Sequence, residues 1–205
     1  MAGMRDLRQG LEPVLERHGI DSKILCESAE SVPDCGPLLI TANHPTGILD
    51  GVVLMGALLQ RRRDIYVLAN RRLENIPHFA DHHIPIDKGN SDSRGTFRRI
   101  RKLWNANNCI VHFPAGTVAH WQFNSWSVAE APAEDSVPRF AAKLGVPHHR
   151  ATLFLENPAW FHTITAVSRC ARTALLIRTF YEGSRVSRHP PIAFQQRCPE
   201  LTQRS

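Results

Sequence analysis

One histidine and one aspartate stand at a spacing that could serve proton transfer. They are His44 and Asp50, in the stretch ITANHPTGILDG at residues 40–51. On one continuous helix, two side chains six residues apart would face different directions. Pro45 and Gly47 interrupt such a helix, because proline disfavours helical geometry at the residue before it and glycine permits unusual turns. The aspartate could then hydrogen-bond one imidazole nitrogen and leave the other as a base.

A simpler interpretation assigns both residues to local structure. Asp50 would cap a helix near its positive end, and His44 would be an ordinary turn residue. The spacing alone leaves both interpretations open. The choice between them depends on whether other parts of the chain bring suitable groups to the same place.

A second stretch, IVHFPAGTVAHW at residues 110–121, has a similar design. An apolar strand ends at Pro114 and is followed by the small residues Ala115, Gly116 and Thr117. Small residues after a strand expose backbone N–H groups, which can bind an anion or a developing oxyanion. Two such turns from two strands could form one site.

A third stretch, IPIDKGNSDSRG at residues 84–95, places Lys88 just after a short strand. A lysine in this position could hold a phosphate group. The alternative is a solvated loop lysine, which is the more common situation for this residue type.

Strand patterns alternate with helix patterns along the chain, which indicates an α/β fold. We predict a mixed, mostly parallel sheet that is covered by helices on both faces, and ligands bind such sheets beyond the carboxyl ends of the strands. Residues 119–138 read as one long irregular stretch, and the polar pair His148-His149 is not typical of a buried strand. The predicted helices are 5–18, a segment with Ile48, Val52, Met55 and Leu59 on one face, 97–104 and 139–144; the predicted strands are 38–42, 65–69, 83–86, 109–113 and 152–155; residues 172–180 fit either type.

The composition suits one compact domain with a substantial core, because 205 residues include 42% apolar and 21% charged side chains. Five cysteines without a Cys-x-x-Cys pair argue against a disulfide framework and indicate a reducing, cytosolic compartment. The first residues have no long apolar core and are not expected to be a signal peptide. The net charge of +6 favours an acidic partner: a carrier protein, phosphate groups, an anionic membrane surface or nucleic acid.

Two other functions remain open at this stage. The segment HFADHH offers His78, His82 and His83 as ligands for a metal-dependent hydrolase, although Pro77 and Pro85 leave little room for a helix there. The arginine-rich segment at 98–102 could belong to a nucleic-acid-binding protein without enzymatic activity, but no recognition motif accompanies it.

Taken in their order along the chain, these stretches resemble the glycerolipid acyltransferase superfamily, the relatives of bacterial 1-acyl-glycerol-3-phosphate acyltransferases. The resemblance spans roughly residues 30 to 192, and its closest branch is the hemolysin-like and lyso-ornithine-lipid acyltransferases. In order along the chain, the matching elements are Asn-His-Pro with the later aspartate, IPIDKG, FPAGT, LENPAWFHTI and RTALLIRTF. The resemblance implies one acyltransferase domain, with a helical segment at 1–30, a catalytic core at 31–192 and a C-terminal tail at 193–205.

The resemblance also implies a reaction. An acyl group would pass from acyl carrier protein or coenzyme A to a hydroxyl of a lysolipid-like acceptor, with no cofactor. His44 would be the general base and Asp50 its partner, and backbone groups around Gly116 and Thr117 would stabilise charge in the tetrahedral intermediate. The further residues for which it implies substrate binding are Asn43, Lys88, Phe113, Pro114 and Asn157.

Departures from the family pattern narrow the range of possible acceptors. Ala115 and Val118 stand where the third block usually has a glutamate and an arginine, which in the family help to hold glycerol-3-phosphate. The resemblance therefore implies an acceptor without that phosphate, such as a lyso-aminolipid. A peripheral location on the inner face of the cell membrane follows, and three aromatic residues could anchor the protein there: Trp121, Phe123 and Trp126.

Overall fold

The computed structural model describes residues 2–71, 82–86, 93–116, 118–122, 127–129, 133–158, 160–162, 175 and 185–197. Alternating helices and strands form an α/β domain within these ranges. The helices are α1 (Ala2–Arg17), α2 (Ser22–Ser28), α3 (Ile48–Leu58), α4 (Ser93–Asn105) and α5 (Ser136–Lys143). The strands are β1 (Leu38–Ala42), β2 (Ile65–Asn70), β3 (His83–Ile86), β4 (Cys109–His112), β5 (His120–Gln122), β6 (Ser127–Ala129), β7 (His148–Leu153), β8 (Leu155–Glu156), β9 (Arg185–Val186) and β10 (Ile192–Arg197).

The centre of the domain is a six-stranded sheet with the order β10-β7-β1-β4-β2-β3. Neighbouring strands run parallel except at the β10 edge, where β10 is antiparallel to β7. The predicted mixed, mostly parallel sheet is therefore confirmed. β1 is central and buried along its whole length, as expected for a strand that is covered on both faces.

Successive residues of β1 point to opposite faces of the sheet and enter two separate cores. Leu38 and Ile40 belong to the core that α1, α2 and α3 cover. Leu39 belongs to the core on the other face, where α4 and α5 pack. Trp104 of α4 closes that second core and donates a hydrogen bond from Nε1 to the carbonyl of Leu38, at 3.2 Å.

Helix α3 is buried almost all around, and not along the single face that the sequence pattern predicted. The reason is that α1 and α2 pack on the side of α3 that faces away from the sheet. Gly56 makes this close approach possible. A Cβ atom at Gly56 would lie 2.9 Å from the Leu15 side chain and 3.2 Å from the Leu25 side chain.

Three predictions for the chain after residue 118 are wrong. Residues 148–153 form a regular strand although it begins with two histidines; His148 is tolerated there because its Nε2 contacts the hydroxyl of Thr41 at 2.8 Å. The stretch 119–138 contains the antiparallel pair β5–β6 and the start of α5. The segment 193–205 is not all tail, because β10 pairs along the whole of β7 and extends the sheet to Arg197.

A buried arginine connects several segments at the edge of the sheet where the parallel strands begin. Arg62 pairs with Asp64 through two contacts, Nε to Oδ1 at 2.9 Å and Nη2 to Oδ2 at 2.6 Å. The same guanidinium donates to the carbonyls of Pro33, Gly36 and Asn107. Its side chain is fully buried, so it joins the connections before β1, before β2 and before β4.

Candidate active site

The predicted histidine lies at the carboxyl end of the central strand. β1 and β4 are parallel neighbours with Thr41 in register with His112, so the turns that follow them meet at one edge of the sheet. His44 is the second residue after β1, and Phe113 directly follows β4. This is the edge where open α/β sheets bind their ligands.

His44 and Asp50 are in contact. Nδ1 of the imidazole lies 2.9 Å from Oδ2 of the carboxylate. The Asp50 side chain is fully buried, whereas the His44 side chain is 20% exposed. The imidazole therefore turns one nitrogen toward a buried anion, while part of the ring remains accessible from solvent.

Local backbone and hydroxyl groups surround the Asp50 carboxylate with donors. The Thr46 N–H lies 3.1 Å from Oδ1 and 2.9 Å from Oδ2, and the Gly47 N–H donates to Oδ2 at 2.8 Å. The Thr46 hydroxyl donates to Oδ1. A buried carboxylate without such partners would be costly, so these donors and the start of α3 stabilise the anion. Thr46 was not predicted, although a hydroxyl four residues before an aspartate at a helix start is a recognisable local pattern.

The turn between the two residues depends on glycine. Gly47 precedes α3 with φ 96° and ψ −114°, a conformation that side-chain-bearing residues rarely adopt. This turn reverses the chain so that His44 and Asp50 meet across only six residues. The predicted break between the strand and the helix is thus present at the expected position.

The turn after β4 supports the histidine from the other side. The rings of Phe113 and His44 have centroids 4.6 Å apart and are tilted by 34°. The backbone N–H of Ala119 donates to the carbonyl of His44 at 3.1 Å. Both contacts hold the histidine at this edge of the sheet, with the Phe113 ring packed beside the imidazole.

Two asparagines for which the resemblance implied substrate binding hold the loop that carries His44. The Asn43 amide donates to the carbonyl of Leu153 at 3.0 Å and accepts from the Leu153 N–H at 2.6 Å. The Asn157 amide donates to the carbonyl of Pro45 at 3.2 Å. Both polar atoms of the Asn43 amide bond the β7 backbone, and substrate binding by this residue stays a prediction. Asn157 has at least one contact that fixes the turn carrying His44.

Gly116, whose backbone was expected to help stabilise the oxyanion, uses its N–H within its own turn. Its N–H donates to the carbonyl of Phe113 at 2.9 Å and closes a tight turn in which Gly116 has φ 58°. Pro114 and Ala115 line a cavity beside this turn. Thr117 and Lys88 lie outside the described residues, as do the aromatic residues Phe123 and Trp126, and so do the side-chain surroundings of Trp121.

A polar layer on the α5 side of the sheet was not predicted as part of the site. A cavity of about 180 Å³ adjoins Asn43, Pro114 and Ala115 and extends over Thr41 of β1 to His148 and Arg150 of β7. His112 lies on the same face, in register with Thr41. Both of its ring nitrogens are buried and have no hydrogen-bond partner among the described residues. Burial lowers the pKa of His112 to about 4, so the ring is neutral near pH 7.

The histidines proposed for a metal site have other partners. Nδ1 of His82 lies 2.9 Å from the carbonyl of Ile65, and Nε2 of His83 lies 2.9 Å from the carbonyl of Ala69. His78 lies outside the described residues. Where the structure is described, no group of three or more His, Cys, Asp or Glu side chains is placed to hold a metal ion.

Comparison with known proteins identifies the family. The family model described as Acyltransferase matches residues 23–147, which include β1, the His44–Asp50 pair and the turn after β4. This chain belongs to the Acyltransferase family. The family thus confirms the resemblance seen in the sequence, and neither the metal-dependent hydrolase nor the nucleic-acid-binding alternative gains support from it.

Two similar proteins are both named lyso-glycine lipid O-acyltransferase. One, from Phocaeicola vulgatus, is 32% identical over 105 residues, and the other, from Bacteroides thetaiotaomicron, is 29% identical over 105 residues. Each match covers 50% of this chain, but only 37% and 38% of the respective relative. In the part of the chain that the structure describes, no helix is both long and apolar enough to cross a membrane.

Proposed function

We propose that this member of the Acyltransferase family transfers a fatty acyl group from a thioester to a hydroxyl of a lysolipid acceptor. The observation that carries the proposal is the contact between His44 Nδ1 and the buried Asp50 carboxylate at the carboxyl edge of the sheet. A base at this position would act on a substrate hydroxyl, because the side chain is partly exposed and its Nε2 lies on the far side of the ring from Asp50.

The proposed reaction has two steps. His44 Nε2 accepts the proton of the acceptor hydroxyl while the hydroxyl oxygen attacks the carbonyl carbon of the thioester, which gives a tetrahedral intermediate. The carbon–sulfur bond then breaks, and the thiolate leaves and takes the proton from the imidazolium. Asp50 keeps the proton on Nδ1 and stabilises the imidazolium between the two steps. The Thr117 N–H remains the proposed donor to the oxyanion, since the Gly116 N–H is already bonded within its turn.

The turn after β4 supports an acceptor other than glycerol-3-phosphate. Ala115 and Val118 are apolar and nearly completely buried, with 7% and 5% exposure. They offer no polar side chain to a phosphate at the positions where the family usually has a glutamate and an arginine. The names of the two relatives point in the same direction, toward a lyso-aminolipid.

The exposed side of α4 supports binding of an anionic acyl donor or of an anionic membrane surface. Arg94, Arg98, Arg101 and Lys102 are exposed and follow one another at helical spacing. The α4 sequence contains no acidic residue, and its apolar residues pack against the sheet. This basic surface fits an acidic acyl carrier protein, coenzyme A or the anionic inner face of a membrane, where the protein would be peripheral.

A direct assay tests the proposed function. The purified chain is incubated with a lyso-aminolipid and either acyl-carrier-protein thioester or acyl-coenzyme A, and the lipids are examined by mass spectrometry. We expect a diacylated product that requires protein, donor and acceptor together. A parallel reaction without the lysolipid serves as the control for hydrolysis. Release of free fatty acid at the same rate in both reactions, without acylated lipid, would show a thioesterase instead.

A further inference from the structure

The cavity on the α5 side of the sheet has polar walls that the proposed reaction does not use. Thr41 and His148 form one wall through their contact at 2.8 Å. Arg150, two residues further along β7, also lines the cavity, as does Asp135, which directly precedes α5 and pairs with Arg139 at 3.7 Å. Asn43 and Pro114 border the same space, so the cavity adjoins the turns that carry His44 and Phe113.

Arg150 brings a positive charge to this space. No carboxylate among the described residues forms an ion pair with it, although other surface cations of the chain, such as Arg61, are paired. His112 does not line the cavity, but it lies next to Thr41 on the same face of the sheet, and both of its buried ring nitrogens have no hydrogen-bond partner in the described structure. Buried polar atoms without partners are uncommon in folded proteins and are often satisfied by water or a ligand. The walls are therefore suited to a small polar group with a negative charge.

We propose that this cavity binds the headgroup carboxylate of the lysolipid acceptor, with Arg150 as the charged contact and Thr41 and His148 as hydrogen-bonding ones. The proposal rests on the proposed acyl transfer and names the part of the acceptor that the enzyme recognises. A guanidinium is the side chain best matched to a carboxylate, because it can donate two parallel N–H bonds.

The charges favour a carboxylate over a phosphate. The cavity contains one arginine, and Asp135 places a carboxylate on its wall. The guanidinium of Arg150 can offset the single charge of a carboxylate, whereas a phosphate monoester carries nearly two charges and no second arginine or lysine among the described residues lines the cavity. The volume of about 180 Å³ admits a small headgroup together with ordered water.

Equilibrium binding tests this proposal without requiring turnover. The binding of a short-chain N-(3-hydroxyacyl)glycine and of its neutral primary amide is measured by calorimetry on the inactive His44→Ala protein, with and without Arg150→Gln. We expect Arg150→Gln to weaken binding of the carboxylate about 10-fold or more and to change binding of the amide less than about 2-fold. Arg63→Gln is the matched control, since Arg63 is exposed at the opposite edge of the sheet.

Several outcomes would overturn the assignment. Equal losses of affinity for the carboxylate and the amide would show that Arg150 supports the fold and does not bind the headgroup. Unchanged affinity for both ligands would show that Arg150 is not part of the site. Tighter binding of a 1-acyl-glycerol 3-phosphate that is lost with Arg150→Gln would show that the cavity binds a phosphate and not a carboxylate. Arg150-dependent binding combined with no acyl transfer by the wild-type protein would retain the headgroup site and contradict the proposed function.

Discussion

Replacing His44 with alanine is expected to lower the rate of acyl transfer about 10²–10⁴-fold, which is the usual contribution of a general base. The loss should fall on kcat with little change in KM, because the base acts on the proton during bond formation and contributes little to binding the ground state. The protein should remain folded, since Asp50 keeps the donors from Thr46 and Gly47. Steady-state kinetics and thermal unfolding of the purified variant measure both effects.

A matched histidine variant makes this result specific. His189 is exposed in the connection before β10, the edge strand that β7 separates from β1. His189→Ala should retain the wild-type rate within about 2-fold, as expected for a surface residue outside the site. A folded His44→Ala protein with unchanged turnover would remove the base from the proposed mechanism.

Replacing Arg62 with methionine is expected to cause the largest loss of stability, about 3–5 kcal/mol in the free energy of unfolding. The change leaves Asp64 without its partner and leaves three backbone carbonyls, of Pro33, Gly36 and Asn107, without the guanidinium that now bonds them. This loss is a large part of the 5–15 kcal/mol that typically separates folded from unfolded domains. Urea denaturation followed by circular dichroism measures it.

The neighbouring arginine provides the comparison. Arg61 pairs with Asp34 at 2.7 Å, but both side chains are partly exposed. Exposed ion pairs contribute little, so Arg61→Met should cost about 1 kcal/mol or less. Equal denaturation midpoints for the two variants would show that Arg62 is not the residue that joins the connections at this edge.

The parts of the site that the sequence predicts are those formed by neighbouring residues. An apolar run identifies β1, and Pro45 and Gly47 mark the break that brings His44 to Asp50. These signals are local, because proline and glycine act on their own backbone and on adjacent residues. The Thr46 contact is equally local and could have been predicted with them.

The parts that the sequence did not predict depend on contacts between distant residues. Asn43 bonds Leu153 across 110 positions of the chain, and nothing in its neighbourhood distinguishes such an asparagine from a substrate ligand. Strand β7 was predicted to begin too late because His148 and His149 are polar. The contact of His148 with the Thr41 hydroxyl on the adjacent strand becomes visible only once the strands are paired. The same strand carries Arg150, so the wall of the proposed headgroup site could not be located before the sheet order was known.

The central claim is that Asp50 holds the His44 ring with its proton on Nδ1, so that Nε2 is the base. Nitrogen-15 NMR of histidine-labelled protein measures this directly, and the signal that disappears in His44→Gln identifies the residue among the 11 histidines. In the neutral ring we expect the proton on Nδ1 in the wild-type protein and a mixture of tautomers in Asp50→Asn. A wild-type ring protonated on Nε2 would contradict the account, because that nitrogen could not then accept a proton from the acceptor hydroxyl.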